Sequence, residues 1–470
     1  MPARPLREGR DLTPWCLGLA AAAVLFTVEL LRWASFHSTA YDLAFFDQVV
    51  WSASAGHGLS SSFVGYSFFG QHLEPALLLL VPLDRIHATP VWLFAAQSLA
   101  LGLAVVPLWA LTRCWLGTRR AAVIASAAYL LQVGVARAAG FDFHTEALGV
   151  PFVFLALYGA ARGSTPLLLI AGTVPLLCKE DGALVSAGAG VLAYLVHRRR
   201  AGLVLAGGAV VAGAVEVLVL MPRLRDGAPG DLIDRYRYLG ATPGSVVSHL
   251  LTEPQSWLGH LLSAPAGPAL LLALAAVGLL PLLRPATLLA VLPAMLVALI
   301  SADPFQSGLR LQYGLPATPL LVAAALAAWR GRPGRRIGAA APALLLGGAA
   351  LTWLLAAPLP WGPGPDRVEL DGAGRLAAAG AVLSRIPPGV PVAATGSVLT
   401  HLAERPTIYE LPAGVGVEWV AVDEDGAVSD DSRAAGYDGA VSSLPGRGYS
   451  LVAEGGGVAL WRLGVRRPAR

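Results

Sequence analysis

"LLCKEDGAL" spans residues 176–184, and its Lys179 is the only lysine in the chain; every other side chain among the 34 counted as Lys or Arg is arginine. The triplet Lys179-Glu180-Asp181 separates two apolar runs, 164–178 and 182–197. Two such runs back to back read as two membrane helices joined by a turn with almost no water-exposed length. Three charges in that turn must pair with one another or with something brought to them, because a charge near hydrocarbon costs about 3 kcal/mol on insertion scales.

The rest of the chain supports a membrane reading. It is 55% hydrophobic and 14% charged over 470 residues, where a soluble globular chain carries roughly 25% charged residues. The net charge of +4 is small. The arginines sit mostly in short loops between apolar runs, which is a topology signal and gives no reason to expect nucleic acid as a partner. Cys16, Cys114 and Cys178 lie in or beside apolar runs with no spacing pattern, so neither a disulfide framework nor a cysteine metal site is expected. The first run, 13–35, is too long for a typical secretory signal and carries Glu29 and Arg32 near its end, so it reads as an uncleaved anchor.

At about 20 apolar residues per crossing, the candidate spans are 13–35, 89–112, 120–139, 143–161, 164–178, 182–197, 201–221, 262–283, 286–302, 313–330 and 336–357. Short basic loops carrying Arg4/Arg7/Arg10, Arg113/Arg119/Arg120, Arg162, Arg198/Arg199/Arg200, Arg284 and Arg330/Arg332/Arg335/Arg336 alternate with loops poor in arginine. The positive-inside rule makes the basic set cytoplasmic and places the others outside. "LEPALLLLVPLDRI" (73–86) is too short to cross, and a crossing there would invert every later basic loop, so it is laid on the outer surface as a re-entrant segment. After about 366 the charge density rises. "PVAAT", "PTIYEL", "VEWVAVD" and "VALWRL" read as short strands bounded by Gly and Pro. The expected fold is therefore an all-α polytopic membrane protein of about eleven transmembrane helices with a small C-terminal extracytoplasmic α/β domain. Residues 1–360 form the membrane part, with a first outer loop at 36–88, and residues 366–470 form the outer domain. The chain is expected in the plasma membrane, with its N-terminus cytoplasmic.

Five polar clusters fall on the outer side. Asp42 and Asp47 lie in "AYDLAFFDQVVW", His72 and Glu74 in "GQHLEP", and Asp142, His144 and Glu146 in "GFDFHTEAL". Lys179, Glu180 and Asp181 form the fourth, and Arg310 and Tyr313 lie in "SADPFQSGLRLQYGLP". Each taken alone has a bland reading as a solvated turn or a structural ion pair; their convergence is what suggests a site. The alternation Asp142-x-His144-x-Glu146 is a weak metal pattern, and no nucleotide fingerprint or Ser-His-Asp order stands out.

"YDLAFFDQVVW", "HLEP", "FDFHTEAL", "KEDGAL" and "LQYGLPATPLL", followed by "VLTHLAERPTIYELP" and "VEWVAVDED", resemble in order the markers of a prokaryotic family of predicted membrane proteins of unknown function. Ala44 replaces that family's usual glycine and Gln312 a histidine. The family in turn resembles the GT-C class of integral-membrane glycosyltransferases, an architectural analogy. This resemblance implies a sugar donor linked to polyprenyl phosphate, used at the outer membrane boundary beside lipid. It implies Asp42 as the general base, with Asp47 next, and Lys179 with Arg310 as cations for the leaving phosphate. Glu180 and Asp181 would then position Lys179 or bind a divalent metal ion that bridges the phosphate. His72, Glu74, Asp142, His144, Glu146 and Tyr313 would complete the substrate contacts. Two other readings compete: a transporter or flippase of a lipid-linked or anionic substrate, and a non-catalytic envelope assembly protein whose tail binds partners.

Overall fold

The computed structural model describes residues 11–228, 230, 232–331, 336–363, 366–368, 373–424 and 436–464. Arg4, Arg7, Arg10, Arg332 and Arg335 of the basic loops lie outside them. Every apolar run picked out above is helical, but not every run is one straight crossing. Four helices are long and apolar enough to span a membrane: Thr13–Ala34, Val91–Leu116, Arg200–Leu224 and Gly338–Ala356. Two more runs are bent pairs, Arg119–Leu130 with Val133–Ala139 at 48° and Pro254–Leu262 with Ala266–Ala275 at 67°. Shorter apolar helices cover Thr165–Leu177, Gly182–His197, Pro285–Leu299 and Thr318–Arg330.

The breaks have local causes. Gln132 is extended (φ −65°, ψ 131°), and its side-chain amide donates to the Ala128 and Ala276 carbonyls at 3.0 and 2.9 Å. An amide inserted into the carbonyl ladder is a standard cause of a kink. Between Leu262 and Ala266 stands Pro265, which removes a helix donor. Elsewhere small residues let helices approach closely. A Cβ on Gly102 would lie 2.4 Å from the Gly18 carbonyl, and one on Gly190 2.3 Å from that of Gly202, the packing mode that membrane helices favour.

The described basic loops meet at one end of the helical body. Arg284 donates to the Leu195 and Ala327 carbonyls, Arg199 donates to that of Ala160, and Trp115 donates to His197. At the opposite end sits the C-terminal α/β unit, whose five-stranded sheet has the order β2-β1-β3-β5-β4. The strands are β1 Val392–Ala394, β2 Ile408–Glu410, β3 Trp419–Asp423, β4 Tyr449–Gly455 and β5 Val458–Leu463. β1 pairs in parallel with β2 and β3, while β5 runs antiparallel to both β3 and β4.

The tail is seated on the first loop. Its apolar core takes in Phe36, Ala40 and Ala44, while Leu43, Phe45 and Phe46 turn the other way, into a core with Phe68 and Phe143. His401 stacks on Trp33 with centroids 4.5 Å apart, and the Trp33 indole donates to the Thr400 carbonyl at 3.1 Å. The π-helical turn Ala40–Ala44, which carries Asp42, is thereby fixed from two sides.

Candidate active site

Asp42 projects from that turn with 27% of its side chain exposed. Its Oδ2 accepts from the Thr39 hydroxyl at 2.8 Å and its Oδ1 faces His144 Nε2 at 3.2 Å. His144 Nδ1 faces the Asp142 carbonyl at 3.1 Å. A carbonyl can only accept, so Nδ1 carries a proton, and an ionised Asp42 draws a second proton to Nε2. Burial, which would lower His144, is outweighed by the Asp42 hydrogen bond and the charges of Glu146 and Asp42, which raise it above its ordinary value. Burial alone would raise the Asp42 carboxyl, but the hydrogen bond and charge of His144, the Thr39 hydroxyl and Lys179 outweigh it and hold it below its ordinary value.

Asp142 is buried and ion-paired with Arg32. It also accepts from the Thr39 backbone N–H at 2.8 Å, and the Thr39 hydroxyl, whose single proton is shared with Asp42 Oδ2, lies 2.8 Å from it as well. Beneath it, Gln97 donates to Glu29 at 3.1 Å and accepts from the His144 N–H at 2.9 Å. The first helix, the helix from Val91 and the turn at 142–145 are therefore tied together directly under Asp42.

Lys179 Nζ lies 2.7 Å from Glu146 Oε1, with side chains 12% and 8% exposed. His72 Nδ1 meets Glu180 Oε1 at 2.9 Å, and the Thr145 hydroxyl donates to Glu74 at 2.5 Å. Around these turns the carboxylates Asp42, Asp142, Glu74, Glu146, Glu180 and Asp181 share four basic partners, Arg32, His72, His144 and Lys179. Two acids are left over. Glu74 is held well above the ordinary range by burial, with Lys179 opposing and Glu146 adding to the rise. Asp181 is pushed up to about 7 by burial against Lys179, with Glu146 and Glu180 adding to the rise. Glu180 goes the other way: burial is outweighed by the charge and hydrogen bond of His72 and by Lys179, leaving it at about 2. Glu74 Oε1, Glu146 Oε2, Glu180 Oε2 and Asp181 Oδ1 are buried without a hydrogen-bond partner among the described residues. Even so, no group of three or more His, Cys, Asp or Glu among those residues is arranged to hold a metal ion. A cavity of about 20 Å³ opens beside Glu146, Lys179, Asp181 and Pro316, space for about one water.

Tyr313 is within electrostatic reach of both Asp42 and Lys179. Its hydroxyl accepts from Arg235 at 3.3 Å, and Gln306 accepts from the same guanidinium at 3.1 Å. Arg235 keeps a third of its side chain exposed, and its nearest carboxylate contact is loose, 3.8 Å to Asp303. Arg235 was not among the expected site residues, nor were Arg32, Thr39, Gln97 and Thr145.

Two expected residues sit elsewhere. Asp47 is buried beside Asp84 and Glu404, and burial followed by the charges of Glu404 and Asp84 raises its carboxyl well above the ordinary range. Five residues along a helix turn a side chain about 140° away at ~100° per residue, so Asp42 and Asp47 face different surroundings. Arg310 is bidentate on Asp366, with its Nε at 3.0 and 2.9 Å from the two oxygens, and lies over the Phe305 ring. Its charge is already answered.

Comparison with known proteins agrees with this architecture. A family model described as "Predicted membrane protein (DUF2079)" matches residues 32–460. Curated proteins yield no match. Among solved structures, ArnT from Cupriavidus metallidurans bound to undecaprenyl phosphate superposes with a TM-score of 0.54 at 14% identity, covering 97% of this chain and 99% of that one. The Archaeoglobus fulgidus oligosaccharyltransferase in its apo form is also similar, with a TM-score of 0.42 at 14% identity over 88% of this chain and 70% of that one. At 14% identity the likeness to ArnT is one of fold alone.

Proposed function

We propose, on the premise that the chain belongs to the DUF2079 family of predicted membrane proteins, that it is a multi-pass plasma-membrane glycosyltransferase of the GT-C type. It would take a sugar from a polyprenyl-phosphate donor on the extracytoplasmic side. The eleven helical runs would serve as spans, broken ones included. The tail-bearing end would face outward and the arginine-rich end the cytoplasm. The observation that carries the reading is the contact of a partly exposed carboxylate, Asp42, with His144, at the end of a helical body shaped like ArnT, a protein solved with undecaprenyl phosphate bound.

The chemistry follows from what each group can do. The acceptor hydroxyl attacks the anomeric carbon of the donor. Its proton passes to Asp42, which His144 and Thr39 keep ionised and oriented. The bond from the anomeric carbon to the phosphate oxygen breaks, and the phosphate leaves with its electron pair. Of Arg32, Lys179, Arg235 and Arg310, Arg235 has the loosest carboxylate contact, so it takes the phosphate, with Tyr313 beside it as a hydroxyl donor. Lys179 contributes positive field from behind while remaining paired with Glu146. His72, Glu74, Asp142, Glu146, Glu180 and Asp181 hold the cradle around it. No step is assigned to a divalent ion, to Asp47 or to Arg310.

The test is sugar transfer from synthetic polyprenyl-phosphate sugars by the purified protein and its Asp42→Asn variant. Transfer by wild type that is lost in Asp42→Asn supports the reading. Absence of transfer with every donor, together with unchanged envelope glycans in cells lacking the gene, overturns it.

A further inference from the structure

Where the first loop meets the tail, a second cavity of about 180 Å³ is lined by Gln48, Trp51, Ser52, His57, Ser60 and Arg405. It admits a ring-sized ligand, whereas the space beside Lys179 does not. Its walls are of two kinds. Trp51 supplies an aromatic face, itself in edge contact with His57 at 5.5 Å between centroids. The remainder offers amide, hydroxyl and guanidinium groups, the mixture of one apolar surface and a few oriented polar groups that fixes a polar ring.

The polar side is rigid. Gln48 is 1% exposed. Its carbonyl accepts from the Ser61 hydroxyl at 2.7 Å and the Ser62 N–H at 2.9 Å, and its amide donates to the Arg405 carbonyl at 3.0 Å. The Ser52 and Ser60 hydroxyls are 2.7 Å apart. Arg405 donates to the Pro387 carbonyl at 3.0 Å, but its Nε is buried without a partner among the described residues.

The charged side chain in the lining is Arg405, and Glu404, its neighbour in the chain, sets a carboxyl group against it. The other walls are an indole, an imidazole, an amide and hydroxyls, a set that suits a neutral polyhydroxylated ring. Gln48, Trp51 and Ser52 stand on the helix Phe45–Ser54, which continues directly from the π-helical turn that carries Asp42.

We propose that this cavity is a subsite for an uncharged saccharide unit of the acceptor, Trp51 packing on the C–H face of the ring and Ser52, Ser60 and Arg405 facing its hydroxyls. The assignment deepens the glycosyltransferase reading and rests on it for the word acceptor; the saccharide site itself is tested without turnover. Ligand-observed NMR on the full-length protein in nanodiscs would use maltose and diacetylchitobiose as neutral probes and glucuronic acid as the anionic one. The expected result is binding of a neutral probe, weakened about tenfold by Trp51→Ala and by the milder Ser60→Ala, with no binding of glucuronic acid. Wild-type protein that binds none of the neutral probes, or binds them equally well in both variants, overturns the subsite. Should binding follow this pattern while no donor supports transfer, the saccharide site stands and the enzyme reading falls.

Discussion

Asp42 and His144, 102 residues apart in the chain, meet at 3.2 Å between a carboxylate oxygen and a ring nitrogen. The contact joins the first loop to the turn that begins the helix Glu146–Arg162. It gives the proposed base both its orientation and its charge.

Removing the partner should move the pH profile in a defined direction. Asp42 is held below its ordinary value largely by His144, so it is ionised until the pH falls through that lowered value. His144→Ala removes the largest opposing influence and leaves burial dominant. The acid limb of the transfer rate should then shift to higher pH while activity at pH 8 falls less than tenfold. Asp42→Asn should cost about 10²–10⁴ in kcat at every pH. Coincident acid limbs for wild type and His144→Ala would remove Asp42 from the role of base.

Lys179→Met should leave Glu146 buried without its cation. Breaking one side of a buried pair costs about 3–5 kcal/mol, whereas replacing both sides is nearly neutral. Thermal unfolding in detergent should therefore show a large loss for Lys179→Met and substantial recovery in Lys179→Met/Glu146→Gln. An equally damaged double variant would mean that the lysine acts through something other than this pair.

Asp181 and Glu180 give opposite stability signatures. Asp181, raised to about 7, binds its proton more tightly folded than unfolded, where a carboxyl titrates near pH 4. Its contribution is full below about pH 4 and is lost as pH rises through 7. Glu180, lowered to about 2, contributes above about pH 4 and loses that contribution as pH falls through 2. Unfolding temperatures measured from pH 4 to 8 should decline less with pH in Asp181→Asn than in wild type. Parallel curves would reject the assignment.

Arg235 and Arg310 should separate by kinetics. Arg235→Ala removes the lightly paired cation and should raise the donor KM about 10–100-fold, the loss of a charge-assisted contact worth ~1.5–3 kcal/mol. Arg310→Ala breaks the pair with Asp366 and should lower stability with little change in donor KM. The reverse pattern would return the phosphate role to Arg310.

Much of this arrangement was legible in the sequence. Apolar runs and arginine spacing gave the helices, because hydrophobic length and loop charge are local properties. His72, Glu74, Asp142, His144, Glu146 and Lys179 were legible because a charge beside hydrocarbon demands a reason. What escaped lacked that signal. Gln97 and Thr39 are uncharged, and their roles exist only through partners far away in the chain. Arg32 passed as the ragged end of an anchor, and Arg235 as one arginine in a long loop. Gln132, which breaks a predicted span, is neither Pro nor Gly. β4 was missed because its residues are mostly solvent-facing on an edge strand, without the continuous buried run of β3 and of the first half of β5.

The buried Lys179–Glu146 pair has a practical corollary. The chain's single ε-amine is locked in an ion pair and largely hidden from solvent, so amine-directed reagents should find no side-chain amine on the native surface. Any lysine engineered into a loop becomes a unique handle there, ready for attaching a fluorophore or for reading which side of a vesicle that loop occupies.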